Sequence, residues 1–285
     1  MIPGTCTRES FTKENMTIPS YVCPDCKAPL ERFYCLGCRF EYPSVDGVPR
    51  LISRNPKYGR TEAIAGAYDS IYAVQSRVWE NQGRTPEFIR YFSSLLDQFP
   101  STRFLEIGCG EGFLLAARRS GEKFAVDLSI EAIRKARARA EADFSLALAE
   151  RLPFPADYFD LVTSVGVMEH FLDIGETLRE IRRVLRPGGH YVSLTHVDMA
   201  VSERIAAKIA EFVFPRPRPI RFARWLKNKL TNTFPQQPIQ NRYTTGGAKA
   251  WLAQSGFNVL DVLHRRKHPD LPLMGPWVVI YVAQK

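Results

Sequence analysis

Long hydrophobic runs, low-complexity tracts and internal repeats are all missing from the sequence. No apolar stretch approaches the ~18 residues of a membrane-spanning helix, and the run at residues 277–283 has only the length of a strand. The first residues lack the basic and apolar regions of a secretory signal. Hydrophobic residues make up 45% and charged residues 24% of the chain, which argues against wholesale disorder. We therefore expect a cytoplasmic protein of one large domain with a small appendage.

Acidic residues are too few to balance the basic ones. The chain has 39 Lys and Arg against 30 Asp and Glu, a net charge of +9. Such an excess is typical of proteins that meet nucleic acid, membrane headgroups or phosphorylated substrates, and by itself it does not choose among them. Much of it lies in residues 201–230, which hold eight basic and two acidic side chains.

Cysteine is scarce, with six in 285 residues, yet four of the six form two Cys-x-x-Cys pairs, Cys23/Cys26 and Cys35/Cys38. Each pair places two thiolates on one tight turn, and two such turns close a four-sulfur zinc site with no open position. The surrounding residues are too few to fold alone, so metal binding would supply folding energy. The alternatives are two disulfides, which a reducing compartment disfavours, and a redox pair, which needs no second pair. The spacing predicts a structural zinc site.

From residue 102 onward, short apolar strands alternate with helical segments. This alternation predicts a parallel, doubly wound α/β sheet that binds ligands at the carboxyl ends of its strands. The predicted strands are residues 104–107, 124–128, 158–165, 191–194, 258–263 and 277–283. One helix is predicted over 113–120 with Gly121 as its C-terminal cap, and another ends at the Arg-Pro-Gly-Gly segment 186–189.

A glycine-rich turn follows the first of these strands. Gly108, Gly110 and Gly112 let the backbone bend sharply and bring N–H groups close to a ligand. Asp127, at the end of the next strand, is placed to accept both hydroxyls of a ribose. Glu106 precedes the turn, and a carboxylate there would repel the pyrophosphate of a dinucleotide. The pattern therefore favours a ligand with an ammonium or sulfonium group.

Residues 104–112, FLEIGCGEG, resemble motif I of class I S-adenosylmethionine-dependent methyltransferases. Residues 150–154, 158–162, 168–170 and 185–189 match later motifs in family order. The resemblance covers residues 102–285 and is to the methyltransferase type 11 branch. It implies a transferase with a seven-stranded Rossmann-like sheet whose last strands are antiparallel, and S-adenosyl-L-methionine as the cofactor.

The resemblance also implies roles for individual residues. The loop from Gly108 to Gly112, which includes Cys109 and Gly110, would hold the methionine moiety. Glu106 would orient the amino group of that moiety, Asp127 would bind the ribose, and Leu128 would line one face of the adenine.

The adenine site departs from the family pattern at one position. An aspartate often stands two residues before the glutamate of the 150–154 segment, and this sequence has Leu148 there. We expect recognition of the adenine amino group to shift to the backbone of Ala149 and to Glu150.

Two histidines are candidates for a catalytic base. Methyl transfer needs a base only if the accepting atom loses a proton. His170 follows the fourth strand of the family fold and His196 follows the fifth. The alternative for each is an ordinary packing or surface residue.

Residues 21–53, with their four cysteines, resemble the small zinc-ribbon protein that partners RNA- and protein-modifying methyltransferases, here fused in cis. Residues 1–20 are expected to be a flexible N-terminus, and residues 54–100 a helical connector in which Tyr68 and Tyr72 cover the active site. The methyltransferase domain is expected over residues 101–285.

A helical basic insertion is expected at residues 197–243. Its part at 214–230 combines basic side chains with Phe222 and Trp225. Such a segment suits a membrane surface or RNA phosphates, and the alternative is a substrate lid with a solvated rim.

These patterns together predict methyl transfer to a small-molecule, glycan or lipid-linked acceptor. The alternatives are an RNA methyltransferase and a non-catalytic methyltransferase-like scaffold. If the insertion meets lipid, the protein would lie at the periphery of a membrane. The acceptor, the accepting atom and the oligomeric state do not follow from the sequence.

Overall fold

The computed structural model describes residues 21–74, 85–198, 237–264 and 278–285. The expected flexible N-terminus, residues 1–20, and nearly all of the basic insertion, residues 199–236, lie outside the described residues. In the described ranges, none of the helices has the length and apolarity that would be needed to span a membrane.

The cysteine-containing segment folds into two short antiparallel hairpins. The first pairs β1 (Tyr34–Cys35) with β2 (Phe40–Glu41), and the second pairs β3 (Ser44–Val45) with β4 (Val48–Pro49). Its aromatic core includes Tyr21 and Tyr42, both nearly fully buried. Residues 21–53 therefore have the form of a small ribbon.

Two helices connect this ribbon to the sheet, α1 (Thr61–Val74) and α2 (Pro86–Leu96). The hydroxyl of Thr85 caps α2 by accepting a hydrogen bond from the amide of Phe88 at 3.2 Å, and Pro86 occupies the first turn, where its missing N–H has no cost. One face of this helix is apolar and packs inward, since Phe92 and Leu96 are buried.

A seven-stranded sheet forms the centre of the molecule, as the sequence predicts. Its strands are β5 (Arg103–Ile107), β6 (Glu122–Asp127), β7 (Asp143–Leu146), β8 (Phe159–Val165), β9 (Leu185–His196), β10 (Asn258–His264) and β11 (Val278–Gln284). The order is β10-β11-β9-β8-β5-β6-β7. Strands β5 to β9 pair in parallel, and β11 runs antiparallel to both β9 and β10. From β5 the chain proceeds through β6 to β7 on one side, and it then crosses to β8 on the other side of β5. The strand order therefore reverses between β5 and β8. Ligands of doubly wound sheets bind at such a switch point.

Four helices accompany the sheet: α3 (Phe113–Ala117), α4 (Ile130–Arg139), α5 (Ile174–Val184) and α6 (Thr245–Gln254). Side chains such as Phe104, Ile133 and Ile280 belong to one buried apolar cluster, and Val162, Leu178 and Tyr281 belong to a second. The sheet therefore has an apolar core on each face, as a doubly wound fold requires.

Two predicted helix ends are wrong. Helix α3 stops at Ala117 because Arg118 already has an extended backbone, with φ −76° and ψ 126°. Gly121 is instead part of the turn into β6, where its φ is +82° and a side chain would lie 2.8 Å from the carbonyl oxygen of Ser101. Helix α5 ends at Val184, and β9 begins directly at Leu185, so the Arg-Pro-Gly-Gly segment lies within a strand.

Strand β7 was not predicted, since its four residues are too few for a clear alternation.

The ribbon is attached to β7, the strand at the parallel edge of the sheet. The amide of Leu51 donates to the carbonyl of Leu146 at 2.8 Å, so the chain after β4 continues the sheet beyond β7. On the same side, the amide of Val22 donates to the carbonyl of Pro153 at 3.0 Å, and the ammonium of Lys27 pairs with Glu180 at 2.7 Å. The ribbon therefore contacts the segment between residues 146 and 154.

Candidate active site

The four predicted cysteines meet in the ribbon. Their sulfurs all lie within 4.8 Å of one another, with 3.8 Å between Cys23 and Cys38 and 3.4 Å between Cys26 and Cys35. A tetrahedron of sulfurs about 2.3 Å from a central zinc has edges of about 3.8 Å, whereas a disulfide needs a separation of about 2.05 Å. All four are free cysteines. The donor set is therefore compatible with a structural zinc ion.

The glycine turn after β5 is shaped by three residues with positive φ, Gly108 at +65°, Gly110 at +51° and Gly112 at +76°. A side chain on Gly108 would come within 2.5 Å of a methyl carbon of Val167, and one on Gly112 within 2.9 Å of the backbone of Ala136. Only glycine satisfies both constraints. The turn is thus packed tightly between β5, α4 and the residues after β8.

Asp127 ends β6 and faces this turn. One of its carboxylate oxygens accepts the amide hydrogen of Gly110 at 2.9 Å, and the other accepts that of Ser129, also at 2.9 Å. A carboxylate oxygen has lone pairs for more than one donor, so Asp127 can accept ligand hydroxyls while it keeps these two amides. The two backbone hydrogen bonds fix its orientation at the edge of the sheet.

A cavity opens beside these residues, at the carboxyl ends of β5, β6 and β8. Its volume is about 760 Å³, part of which is open to solvent. This volume is within the usual range for small-molecule sites. It is lined by Tyr68, Tyr72, Ile107, Gly108, Val126, Asp127, Leu128, Ala147, Leu148, Ala149, Glu150, Gly166, Val167, His170, Phe171, Leu172, Gln237 and Ile239. The cavity lies at the switch point of the sheet.

Six of the predicted site residues are in this lining: Gly108, Asp127, Leu128, Ala149, Glu150 and His170. The others are adjacent to it rather than in it. Glu106 and Cys109 are buried next to the turn. Gly110 and Gly112 belong to the turn but do not line the cavity. His196, at the end of β9, is not part of the lining.

The end of the cavity at Leu128 and Leu148 is apolar. Leu128 and Leu148 belong to a small cluster with Ile52 and Tyr58, and Ala149 begins the short 3₁₀ helix Ala149–Arg151. The residue that departs from the family pattern, Leu148, thus adds an apolar wall and no hydrogen-bond acceptor.

Glu150 lines the cavity and also has a structural role. Its Oε1 accepts hydrogen bonds from the amide of Leu172 at 2.7 Å and from the hydroxyl of Thr177 at 3.0 Å. Burial raises its pKa, although these hydrogen bonds oppose the rise. Glu150 therefore holds the start of α5 against the end of the cavity at Leu148.

His170 lies in the 3₁₀ helix Met168–His170 after β8. Its Nδ1 is 2.6 Å from the carbonyl oxygen of Ile239. A carbonyl only accepts, so Nδ1 carries the proton and Nε2 keeps its lone pair. Burial lowers the pKa of His170 below its ordinary value of 6.5, while Glu169 and the Ile239 carbonyl oppose this. A neutral imidazole with a fixed tautomer therefore lines the cavity.

His196 differs from His170 because its Nδ1 meets a carboxylate instead of a carbonyl. Its Nδ1 is 2.6 Å from Oε1 of the buried Glu169, and the hydroxyl of Thr195 donates to Oε2 of the same carboxylate at 2.8 Å. The hydrogen bond that Glu169 accepts raises the pKa of His196. His196 therefore serves as the partner of a buried carboxylate, and its geometry favours a structural role.

Tyr68 and Tyr72 of α1 form one wall of the cavity, in keeping with the cover expected from the sequence. The rings of Tyr68 and His170 meet edge to face, with centroids 6.3 Å apart and planes inclined at 71°. Tyr72 is buried, and its main-chain carbonyl accepts a hydrogen bond from Lys135 of α4 at 2.5 Å.

Another wall comes from residues that sequence reasoning did not identify. Residues 237–241, near the end of the predicted insertion, pack along the 3₁₀ helix at 168–170. The amide of Asn241 donates to the carbonyl of Glu169 at 2.7 Å, and its side chain donates to the carbonyl of Phe171 at 2.6 Å. These bonds bring Gln237 and Ile239 into the lining. No motif or periodicity marks these positions, because their place depends on the tertiary fold.

Comparison with known proteins identifies the class that this fold and site define. Residues 105–193 match the family described as methyltransferase domain, and the chain carries a methyltransferase domain of the S-adenosylmethionine-dependent class.

Several curated relatives are small-molecule methyltransferases. The chain is 28% identical over 186 residues to a ubiquinone biosynthesis O-methyltransferase of Xanthomonas oryzae pv. oryzae, which covers 56% of this chain and 77% of the relative. It is 30% identical over 138 residues to the protein of that name from Alkalilimnicola ehrlichii, covering 43% of this chain and 56% of the relative. A demethylmenaquinone methyltransferase of Symbiobacterium thermophilum is 32% identical over 145 residues, 47% of this chain and 56% of the relative. The chain thus spans only a little more than half the length of two of these relatives.

Solved structures share the fold. A complex between the Haloferax volcanii Trm112 methyltransferase activator and a methyltransferase matches with a TM-score of 0.55 and 17% identity, covering 78% of this chain and 96% of the matched chain. The [4+2]-cyclase SpnF matches with a TM-score of 0.51 and 17% identity, covering 84% and 99%.

Proposed function

We propose that the protein transfers the methyl group of S-adenosylmethionine to a small-molecule acceptor in the cavity between Asp127 and His170. The observation that carries the proposal is that one cavity joins the glycine turn and Asp127 to a neutral histidine with a fixed tautomer. The small-molecule relatives support the acceptor class. A glycan or lipid-linked acceptor is a narrower version of the same proposal.

The residues present fit the cofactor. Gly108 leaves room where a side chain would collide, Asp127 accepts from ribose hydroxyls, and Leu128 and Leu148 supply apolar surface for the adenine. Ala149 offers backbone groups to the adenine edge. Glu106, Cys109, Gly110 and Gly112 support the turn that faces the methionine moiety. When bound, S-adenosylmethionine supplies a methyl group activated by a sulfonium.

His170 is proposed as the general base. The Ile239 carbonyl holds the proton of the ring on Nδ1, so the lone pair of Nε2 is available to accept a proton from an acceptor hydroxyl. The residues that line the cavity would hold the acceptor in place beside the cofactor, and such positioning is the main contribution that a protein makes to methyl transfer.

We also propose that the ribbon, holding zinc on Cys23, Cys26, Cys35 and Cys38, supports the methyltransferase domain in cis. The proposal rests on its contacts with residues 146–154, which lead into the adenine end of the cavity. The domain boundaries at residues 53 and 100 belong to this proposal.

The test of the cofactor site is a calorimetric titration with S-adenosylmethionine. We expect Asp127→Ala to weaken binding about 100-fold, because it removes charge-assisted hydrogen bonds to the ribose. Asp127→Asn, which keeps one acceptor oxygen, should lose less. The matched control is Asp157→Ala, a carboxylate paired with Lys285 away from the cavity. Equal affinity in wild type and Asp127→Ala would refute the cofactor assignment.

The acceptor class is tested by incubating the protein with methyl-labelled cofactor and separate metabolite, lipid and RNA fractions. Label in the metabolite or lipid fraction, lost in Asp127→Ala, is the expected result. Label confined to RNA would favour the RNA methyltransferase alternative, and no label in any fraction would favour the non-catalytic scaffold.

A further inference from the structure

Two buried polar atoms, on residues that line the cavity, have no hydrogen-bond partner in the part of the chain that the structure describes. They are the hydroxyl of Tyr68 on α1 and Oε1 of Gln237, near the end of the predicted insertion. Both residues line the cavity. Neither is used by the cofactor contacts or by the base proposed above.

Such atoms are costly to bury. A hydroxyl or amide oxygen removed from water without a partner destabilises a protein by about 1–3 kcal/mol, and buried polar atoms in folded proteins are nearly always paired. A ligand that supplies the missing partners removes this penalty. Two unpaired atoms on opposite elements of one cavity therefore point to polar groups of the molecule that fills it.

The two atoms have complementary capacities. The side-chain carbonyl of Gln237 only accepts. The hydroxyl of Tyr68 is available as a donor, because burial and then the charges of Asp127 and Glu169 raise its pKa and keep it protonated. Lys135 of α4 approaches α1 as well, but it bonds to the carbonyl of Tyr72 and to Glu111.

Both residues adjoin the proposed base. The ring of Tyr68 contacts that of His170, and Gln237 is two residues from Ile239, whose carbonyl holds His170. An acceptor oxygen that gives its proton to Nε2 of His170 therefore lies beside Tyr68, where a donor stabilises the negative charge that develops on the oxygen.

We propose that Tyr68 and Gln237 form a recognition pair for the methyl acceptor. Tyr68 donates to the oxygen that receives the methyl group, and Gln237 accepts from a hydroxyl or amino group on the neighbouring atom. The acceptor is then a largely apolar small molecule with two adjacent hydrogen-bonding groups, one of which is methylated. This inference rests on the proposed function.

The binding test uses two probes that differ in one hydroxyl, 4-hexylcatechol and 4-hexylphenol, titrated into protein saturated with S-adenosylhomocysteine. We expect the wild type to prefer the catechol at least ~10-fold, since a site built to bond a hydroxyl rejects the analogue that lacks it. Tyr68→Phe should weaken binding of both probes, and Gln237→Met should weaken only that of the catechol. Binding of S-adenosylhomocysteine should not change in either variant.

A second test needs no acceptor. Because its hydroxyl is unpaired, Tyr68→Phe should leave the melting temperature of the ligand-free protein unchanged or raise it by about 2–4 °C. The matched control is Tyr281→Phe, which removes a hydroxyl that donates to the carbonyl of Thr245 at 3.0 Å outside the cavity. The control should lower the melting temperature and keep the preference between probes.

Three results would overturn the inference: equal affinity of the wild type for the two probes, binding of neither probe by protein that holds S-adenosylhomocysteine, or a Tyr68→Phe variant destabilised as much as Tyr281→Phe. Failure of the proposed function looks different, because the wild type would then not bind S-adenosylhomocysteine at all.

Discussion

His170 and His196 both lie close to Glu169, yet their pKa values shift in opposite directions. Burial lowers the pKa of His170, although its carbonyl partner opposes this, whereas the hydrogen bond to a carboxylate raises the pKa of His196. The residue type alone therefore does not decide which histidine is suited to accept a proton. The balance between burial and the partner of Nδ1 does.

The first prediction at this scale concerns the dependence of kcat/KM on pH. If the neutral form of His170 is the base, activity falls as the pH drops through its pKa, which lies below 6.5, and is constant above it. His170→Ala should lower kcat by about 10²- to 10⁴-fold and remove this acid limb. His196→Ala is the comparison and should retain the limb. A limb that persists in His170→Ala would assign the base to another group.

The second prediction concerns the free energy of unfolding. The raised pKa of His196 stabilises the fold fully below about 6.5, and this contribution is lost as the pH rises through the raised value. Burial acts to raise the pKa of Glu169, but the hydrogen bond from His196 and the charge of that histidine outweigh burial and lower the pKa. The contribution of Glu169 is therefore lost as the pH falls through the lowered value. Denaturant unfolding at several pH values should therefore show His196→Gln most destabilised near pH 5–6 and approaching the wild type at higher pH. A difference that does not vary with pH would contradict the pairing.

Residues of the site were predictable where backbone geometry demands a residue type. Gly108 follows β5 with a positive φ that favours glycine, and Asp127 ends β6, so the sequence alone predicted that both lie at the carboxyl ends of strands. Gln237 could not be found in this way. It reaches the cavity only because Asn241 is hydrogen-bonded to the backbone near His170, and no local pattern encodes a contact across about seventy residues.

Among the elements, helix α1 has the most consequence for the cavity. It carries Tyr68 and Tyr72, and Asp69 between them connects it to the start of α4. The carboxylate of Asp69 accepts from the hydroxyl of Ser129 at 2.6 Å and from the amide of Glu131 at 3.2 Å. The amide of Ser129 also holds Asp127. The wall formed by α1 and the carboxylate of Asp127 thus share one support, Ser129.

The third prediction follows from this connection. Asp69→Ala should weaken the affinity for S-adenosylmethionine about 10-fold, because α1 loses two hydrogen bonds to α4 and Ser129 is less fixed. Ser70→Ala is the control on the same helix, since its hydroxyl bonds only to the carbonyl of Gly66 on the exposed side. Calorimetry on both variants measures the difference. Equal affinities would mean that the cover does not contribute to cofactor binding.

The type and order of the elements were largely predictable, and their ends were less so. The apolar spacing in α2 and the buried runs of β5 and β8 predict these elements directly. The Pro-Gly-Gly segment predicts a break, but β9 continues through it because a bulge shifts its register against β8 and the sheet resumes. The backbone conformation at Arg118, which ends α3, likewise depends on packing that the local sequence does not specify.

At the scale of the whole molecule, the ribbon and the sheet form a continuous structure. The chain at residues 50–51 pairs with β7, and the ring of Tyr21 lies 5.6 Å from that of Phe154. Lys27 adds a hydrogen bond to the carbonyl of Leu152 at 3.2 Å. The ribbon therefore contacts both ends of the segment 146–154, whose residues 147–150 line the cavity.

The fourth prediction is that removal of zinc weakens cofactor binding. Without metal, the four thiolates lose the ion that links the two halves of the ribbon, and residues 146–154 lose their support. After chelation we expect a lower melting temperature and an affinity for S-adenosylmethionine reduced at least ~10-fold, both restored by added zinc. Metal analysis should give about one zinc per chain before chelation. An unchanged affinity in metal-free protein would separate the ribbon from the site.

Attachment of the ribbon within one chain also has a kinetic consequence. A separate ribbon would have to find the sheet edge by diffusion, and its occupancy would fall on dilution. A covalent link instead presents it at an effective concentration in the millimolar range, so occupancy of the β7 edge is independent of how much protein is present. Turnover per molecule should accordingly stay constant when the enzyme is diluted, which a two-component system does not achieve below its dissociation constant.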